Sequence, residues 1–214
     1  MNHKTFFATA GLLAAPLMVL GLAGCSHNDA AAMLDVHRDH AGVDYTAKFD
    51  RALFSQSSAG QIDVILLQNS GRDPSIDRPL SADGNGGVQQ VIHVKVLWQP
   101  TRTIRLDSPS ASNAFIDWHV VAGEKNSVSY TGSCWAMTDI DGDKATIDLR
   151  NATVTLSSIT GNMSDPLRRA SLTGKIKAKR SDALVQSYVT QLDQLNHKSA
   201  TAMSEPTPRR QTLP

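Results

Sequence analysis

Along most of the chain, apolar residues come either in alternation with polar ones or in short runs, and clusters of Gly, Ser, Asn and Asp separate these stretches. That pattern predicts an antiparallel β domain. Residues 61–68 (QIDVILLQ) form the first clear strand. In residues 43–55, Tyr45, Ala47 and Phe49 alternate, while Tyr45, Phe49 and Leu53 also fall at helical spacing. Strand is expected there, because Ser57-Ser58-Ala59-Gly60 reads as a hairpin loop. Residues 88–98 set Ile92, Val94, Val96 and Trp98 on one core-facing side. Residues 114–122 do the same with Ile116, Trp118 and Val120, and residues 127–138 with Val128, Tyr130, Cys134 and Ala136.

Between 144 and 157 the apolar parity changes, from Ile147 and Leu149 to Val154 and Leu156. One flat strand would turn one pair to solvent, so a bulge or break is expected near Asn151-Ala152. The last strand, 170–179, opposes Leu172, Ile176 and Ala178 to a wet face of Thr173, Lys175, Lys177 and Lys179. From Ser181 the period becomes helical: Leu184, Val185, Tyr188, Val189, Leu192 and Leu195 make an apolar stripe that ends near Lys198. The fold expected is mostly β, an antiparallel β-sandwich or incomplete barrel with a C-terminal α-helix packed on it. Parallel α/β is disfavoured because helical segments do not alternate with the strands.

The N-terminus has a different character. Lys4 precedes an apolar stretch from Phe6 to Ala23, which is the anatomy of a signal peptide. Leu22-Ala23-Gly24-Cys25 resembles the lipobox of bacterial lipoproteins, and the resemblance covers the leader only. It implies cleavage before Cys25 and a diacylglycerol thioether on that cysteine, an anchor far more durable than a single acyl chain. Ser26 rather than Asp after the cysteine resembles the sorting rule of diderm bacteria, and that resemblance implies the outer membrane, where the organism has one. The expected organisation is therefore residues 1–24 as signal peptide, 25–42 as a lipidated flexible tether, 43–198 as one β-rich domain with its helix, and 199–214 as a disordered tail. A tether of that length spans about 20–25 Å root-mean-square.

Charge adds little. With Lys4 removed, 20 basic residues face 20 acidic ones, so nothing global points to nucleic acid. Of the two cysteines, Cys25 is committed to lipid and Cys134 has no partner, so packing alone must hold the fold. Cys134 itself reads as core, as does Trp98, and core is the expected use of Trp118 and Trp135.

Three groups of residues carry candidate chemistry. Asp139-Ile140-Asp141-Gly142-Asp143 has carboxylates at calcium-loop spacing, but Lys144 and Arg150 stand where an EF-hand-like loop needs Gly and Glu, so a hairpin turn is expected. His93, Asp117 and His119 lie on the less apolar faces of two strands and form a possible ligand or metal contact, or an acid/base set. Half-exposed histidines are the plainer expectation, and His37 and His40 read as solvated tether residues. Lys175, Lys177 and Lys179, flanked by Arg168, Arg169 and Arg180, form a stripe suited to an anionic partner, lipid or polysaccharide. The competing role is edge protection of the sheet. The Gly-rich loop at 84–87 runs into a strand and is not a phosphate loop.

No cofactor motif and no catalytic motif is present in the sequence. The reading expected is a membrane-anchored envelope lipoprotein acting as a non-enzymatic binding or structural module, with an envelope protein, polysaccharide or lipid as partner. Two alternatives stand beside it: a metal-dependent or acid/base hydrolase built on His93, Asp117 and His119, and a carrier of an apolar ligand between sheet and helix.

Overall fold

The computed structural model describes residues 31–39, 44–69, 88–99, 112–122 and 126–204. The leader, Cys25, the Gly-rich loop at 84–87, His40 and the last ten residues lie outside them. Among the described residues nine strands form one sheet: β1 (Ala32–Arg38), β2 (Tyr45–Phe49), β3 (Arg51–Gln56), β4 (Ile62–Asn69), β5 (Val88–Val96), β6 (Ala114–Ala122), β7 (Ser127–Asp141), β8 (Lys144–Thr160) and β9 (Arg169–Arg180). One helix follows, α1 (Asp182–Ser204).

The sheet curls until β9 is met from both directions. On one edge β9 pairs with β8; on the other it pairs with β1 and, at its end, with β3. The β3–β9 seam is parallel and only two residues long, Leu53 with Lys179 and Phe54 with Arg180. The sheet is thus an incomplete barrel rather than a closed one, with sandwich-like packing of its inner face. Inward side chains from all nine strands share one core, in which Trp118, Tyr130, Phe49, Phe54, Leu34 and Ile116 are fully buried. A ring of about eight strands is just wide enough for side chains to fill it.

Local chemistry explains the bends that curl it. The β7–β8 hairpin pairs Asp141 with Lys144, and Gly142 takes φ 59°, the positive angle a tight two-residue turn demands of its first central residue. Where the parity of β8 changes, its pairing with β9 slips between Leu149 and Ala152, with Asn151 at φ 50°. The bulge expected at Asn151-Ala152 is there. At Gly132 an added Cβ would sit 1.8 Å from the Thr153 carbonyl oxygen, so the close approach of β7 to β8 requires glycine.

The helix lies outside the barrel. Val185, Tyr188 and Leu192 cover Leu53, Ile65, Leu67 and Val91, outward residues of β3, β4 and β5. This second layer explains why β4 reads as a continuous apolar run: both of its faces are buried. The Ser181 carbonyl accepts from the Val185 N–H and opens the helix, with Asp182 in the first turn favourably placed against the helix dipole.

Four expectations need correction. Residues 32–38, assigned to the tether, are β1, a central strand with Ala32, Leu34 and Val36 buried; with only two large apolar residues facing inward, the stretch looks too polar for core. The helix runs on to Ser204, into residues expected in the tail, because no helix breaker occurs before Pro206. Trp98 lies beyond the end of β5 and is 41% exposed, packing edge-on to Trp135 at 5.5 Å between ring centroids instead of entering the core. Finally, β9 carries Lys175, Lys177 and Lys179 but is no edge strand, having neighbours on both sides, so edge protection does not account for them.

Candidate functional site

The register brings the candidate residues of β5 and β6 together. His93 lies directly across from Asp117, and both project from the outer face, since Ile92, Val94, Ile116 and Trp118 point inward. His119 is two residues along the same face of β6 and is paired with Ser129 of β7. The result is a polar band across four strands: Asp63, His93, Asp117, His119, Ser129.

Each histidine has a different partner. His93 Nε2 is 2.9 Å from Asp63 Oδ1 on β4, a contact the sequence did not reveal because Asp63 lies in an otherwise apolar run. His119 Nδ1 is 2.9 Å from Ser129 Oγ. Its ring is only 3% exposed, and its Nε2 is buried without a hydrogen-bond partner. Burial holds the His119 imidazole below its ordinary value; the nearby Asp117 carboxylate opposes that shift and His93 adds to it. His119 is therefore a neutral, enclosed imidazole.

That geometry limits the chemistry. A serine–histidine pair needs a third group to orient the ring and a path for substrate. Here Ser129 is itself buried and the ring nitrogen away from it is unpaired. Among the described residues no three His, Cys, Asp or Glu side chains are arranged to hold a metal ion. Asp139, Asp141 and Asp143 belong to the β7–β8 hairpin, whose turn they flank and form. Cys134 faces the core, and burial pushes its thiol up to about 12, so at neutral pH it is an inert thiol.

Two other outer surfaces stand out. Leu97, Trp98, Phe115 and Met137 are each about two-fifths to one-half exposed, and Trp98 packs edge-on to the buried Trp135. They cluster where β5, β6 and β7 come together, held by Asn113, whose amide donates to the Trp98 and Ala136 carbonyls and accepts from the Ala136 N–H. On the opposite side of the barrel, Lys175, Lys177 and Lys179 are exposed on the outer face of β9. Lys175 is paired with Asp148 on one side and Met33 on the other, and Lys179 with Lys144.

The class this defines is an incomplete antiparallel barrel with a filled interior, an external helix and its polar and exposed apolar groups outside. No protein-family model, no curated protein sequence and no solved structure matches the chain.

Proposed function

We propose that the protein is an envelope lipoprotein, anchored by lipid on Cys25 to a membrane, the outer one where the organism is diderm, and that its β domain is a non-enzymatic interaction module binding another envelope component through its outer surface. The leader with its lipobox supports the anchor. The observation that carries the binding role is the exposed apolar cluster of Leu97, Trp98, Phe115 and Met137 on a domain whose interior is already occupied by side chains. Apolar groups gathered in one place on an outer face favour a protein partner.

The alternatives have weaker support. A hydrolase on His93, Asp117 and His119 would require substrate to reach a histidine that is 3% exposed. A carrier would need room between sheet and helix, where Leu53, Ile65, Leu67 and Val91 meet Val185, Tyr188 and Leu192.

The test is photo-crosslinking in intact cells from a reactive group at position 115. A discrete adduct that forms with the wild-type anchor and is lost in Met137→Asp and in Cys25→Ala supports the module. An adduct pattern indifferent to both changes contradicts it.

A further inference from the structure

The lysines of β9 and the point where the chain enters the fold coincide. The Lys177 N–H donates to the Ala31 carbonyl at 3.0 Å, so Ala31 meets the sheet within the lysine stripe. Because β1 begins at Ala32, only residues 26–31 separate Cys25 from the domain. Fully extended, they reach at most about 20 Å. A lipid on Cys25 would thus hold this side of the barrel near the headgroups, within a few Debye lengths of about 8–10 Å.

We propose that the outer face of β9, β1 and β2 is the surface the domain lays on an anionic phospholipid bilayer, the lysines contacting the lipid phosphates; this rests on the anchor at Cys25. The register makes the face continuous. Met33 of β1 lies between Lys175 of β9 and Lys48 of β2, all three outward, and is 50% exposed. Lys177 and Lys179 extend the row along β9. A protruding apolar side chain among ammonium groups fits an interface where phosphates lie over acyl chains.

The nearby carboxylates set the limits of this face. Asp35 accepts a hydrogen bond from Thr46, and Asp148, across from Lys175, is engaged by Arg150. Asp143 closes the β7–β8 hairpin beside the end of β9, its carbonyl accepting from the Arg180 N–H, and Asp141 pairs with Lys144, itself paired with Lys179; Asp139 lies on β7, across β8 from β9. The attraction is therefore strongest around Lys175, Lys177 and Lys48, at the end of this face away from that hairpin. Three lysines at an anionic surface bias orientation by roughly 100-fold at moderate salt.

The experiment uses the full lipidated protein in vesicles of mixed phosphatidylethanolamine and phosphatidylglycerol that contain a headgroup nitroxide. A fluorophore is placed at Met33→Cys or, as a control across the barrel, at Lys95→Cys; Cys134 is buried and stays unlabelled. Quenching is expected to be severalfold greater at 33 than at 95, and to fall to parity in the Lys175→Gln/Lys177→Gln/Lys179→Gln variant while the protein remains bound. Equal quenching at 33 and 95, with Cys25 shown by mass to be lipidated, overturns the proposed face and leaves the anchor standing. An unlipidated Cys25 overturns both.

Discussion

His119 Nδ1 and Ser129 Oγ lie 2.9 Å apart on neighbouring strands, and the other nitrogen of the same ring is buried with no partner. Protonation would place a positive charge where only one side of the ring has a hydrogen-bond partner. The folded value is depressed below the ordinary 6.5, so folded and unfolded chains differ only below that pH. Above it both carry a neutral ring and stability is undiminished. As pH falls through 6.5 the unfolded chain takes up a proton that the folded chain refuses, and stability drops until the folded value is passed. Urea unfolding as a function of pH should show this loss, at a slope of at most about 1.4 kcal/mol per pH unit for one proton. The His119→Gln variant should lack that part of the slope.

Asn113 serves as a molecular clip. Its side chain satisfies the Trp98 carbonyl just past the end of β5 and the carbonyl and N–H of Ala136 within β7. Asn113→Ala would orphan these backbone groups and should cost about 2–4 kcal/mol in denaturant unfolding. Amide exchange at Ala136 should accelerate more than exchange in β4. Asn113→Asp should do nearly as badly, since a carboxylate cannot donate to the two carbonyls.

Gly132 and Gly174 mark two places where strands approach too closely for a side chain. A Cβ at 174 would meet the Met33 carbonyl oxygen at 2.4 Å, as one at 132 would meet that of Thr153. Gly132→Ala should destabilise by at least about 2 kcal/mol. By contrast Gly60, in the β3–β4 hairpin, has open space around it but φ 82°, and Gly60→Ala should cost about 1 kcal/mol from the backbone alone. Thermal melts of the three proteins should fall in the order wild type, Gly60→Ala, Gly132→Ala.

The helix is held by three buried side chains. Leu192→Ala should cost about 2–5 kcal/mol. If β4 depends on that cover, the same change should raise amide exchange at Ile65 and Leu67, whose outer faces the helix shields, while leaving β8 protected.

How much of this was legible depends on how many faces of a strand are buried. Where one face is wet, as in β9, or largely polar, as in β5 and β6, alternation marks both the strand and its core side. The parity change at Asn151 likewise betrays its bulge, since a register error would turn Ile147 or Val154 outward. β1 is hidden in the sequence because its inward set is Ala32, Leu34 and Val36, interrupted by Asp35 and His37, and a short strand with little apolar area resembles a linker. Trp98 continues the parity of β5, but the strand ends at Val96, and periodicity does not report where pairing stops. Of the candidate site, His93, Asp117 and His119 do lie close, yet Asp63 and Ser129 come from β4 and β7, and only the register brings them in. Nor does the sequence reveal that His119, on the outer face, is enclosed.

The lipid on Cys25 underlies both the proposed module and its membrane-facing surface, and it is read from the mass of the N-terminal peptide of the protein purified from membranes. A peptide beginning at Cys25 and carrying a diacylglyceryl thioether is the predicted result. A peptide that retains the leader, or begins at an unmodified cysteine, would rule the lipid anchor out.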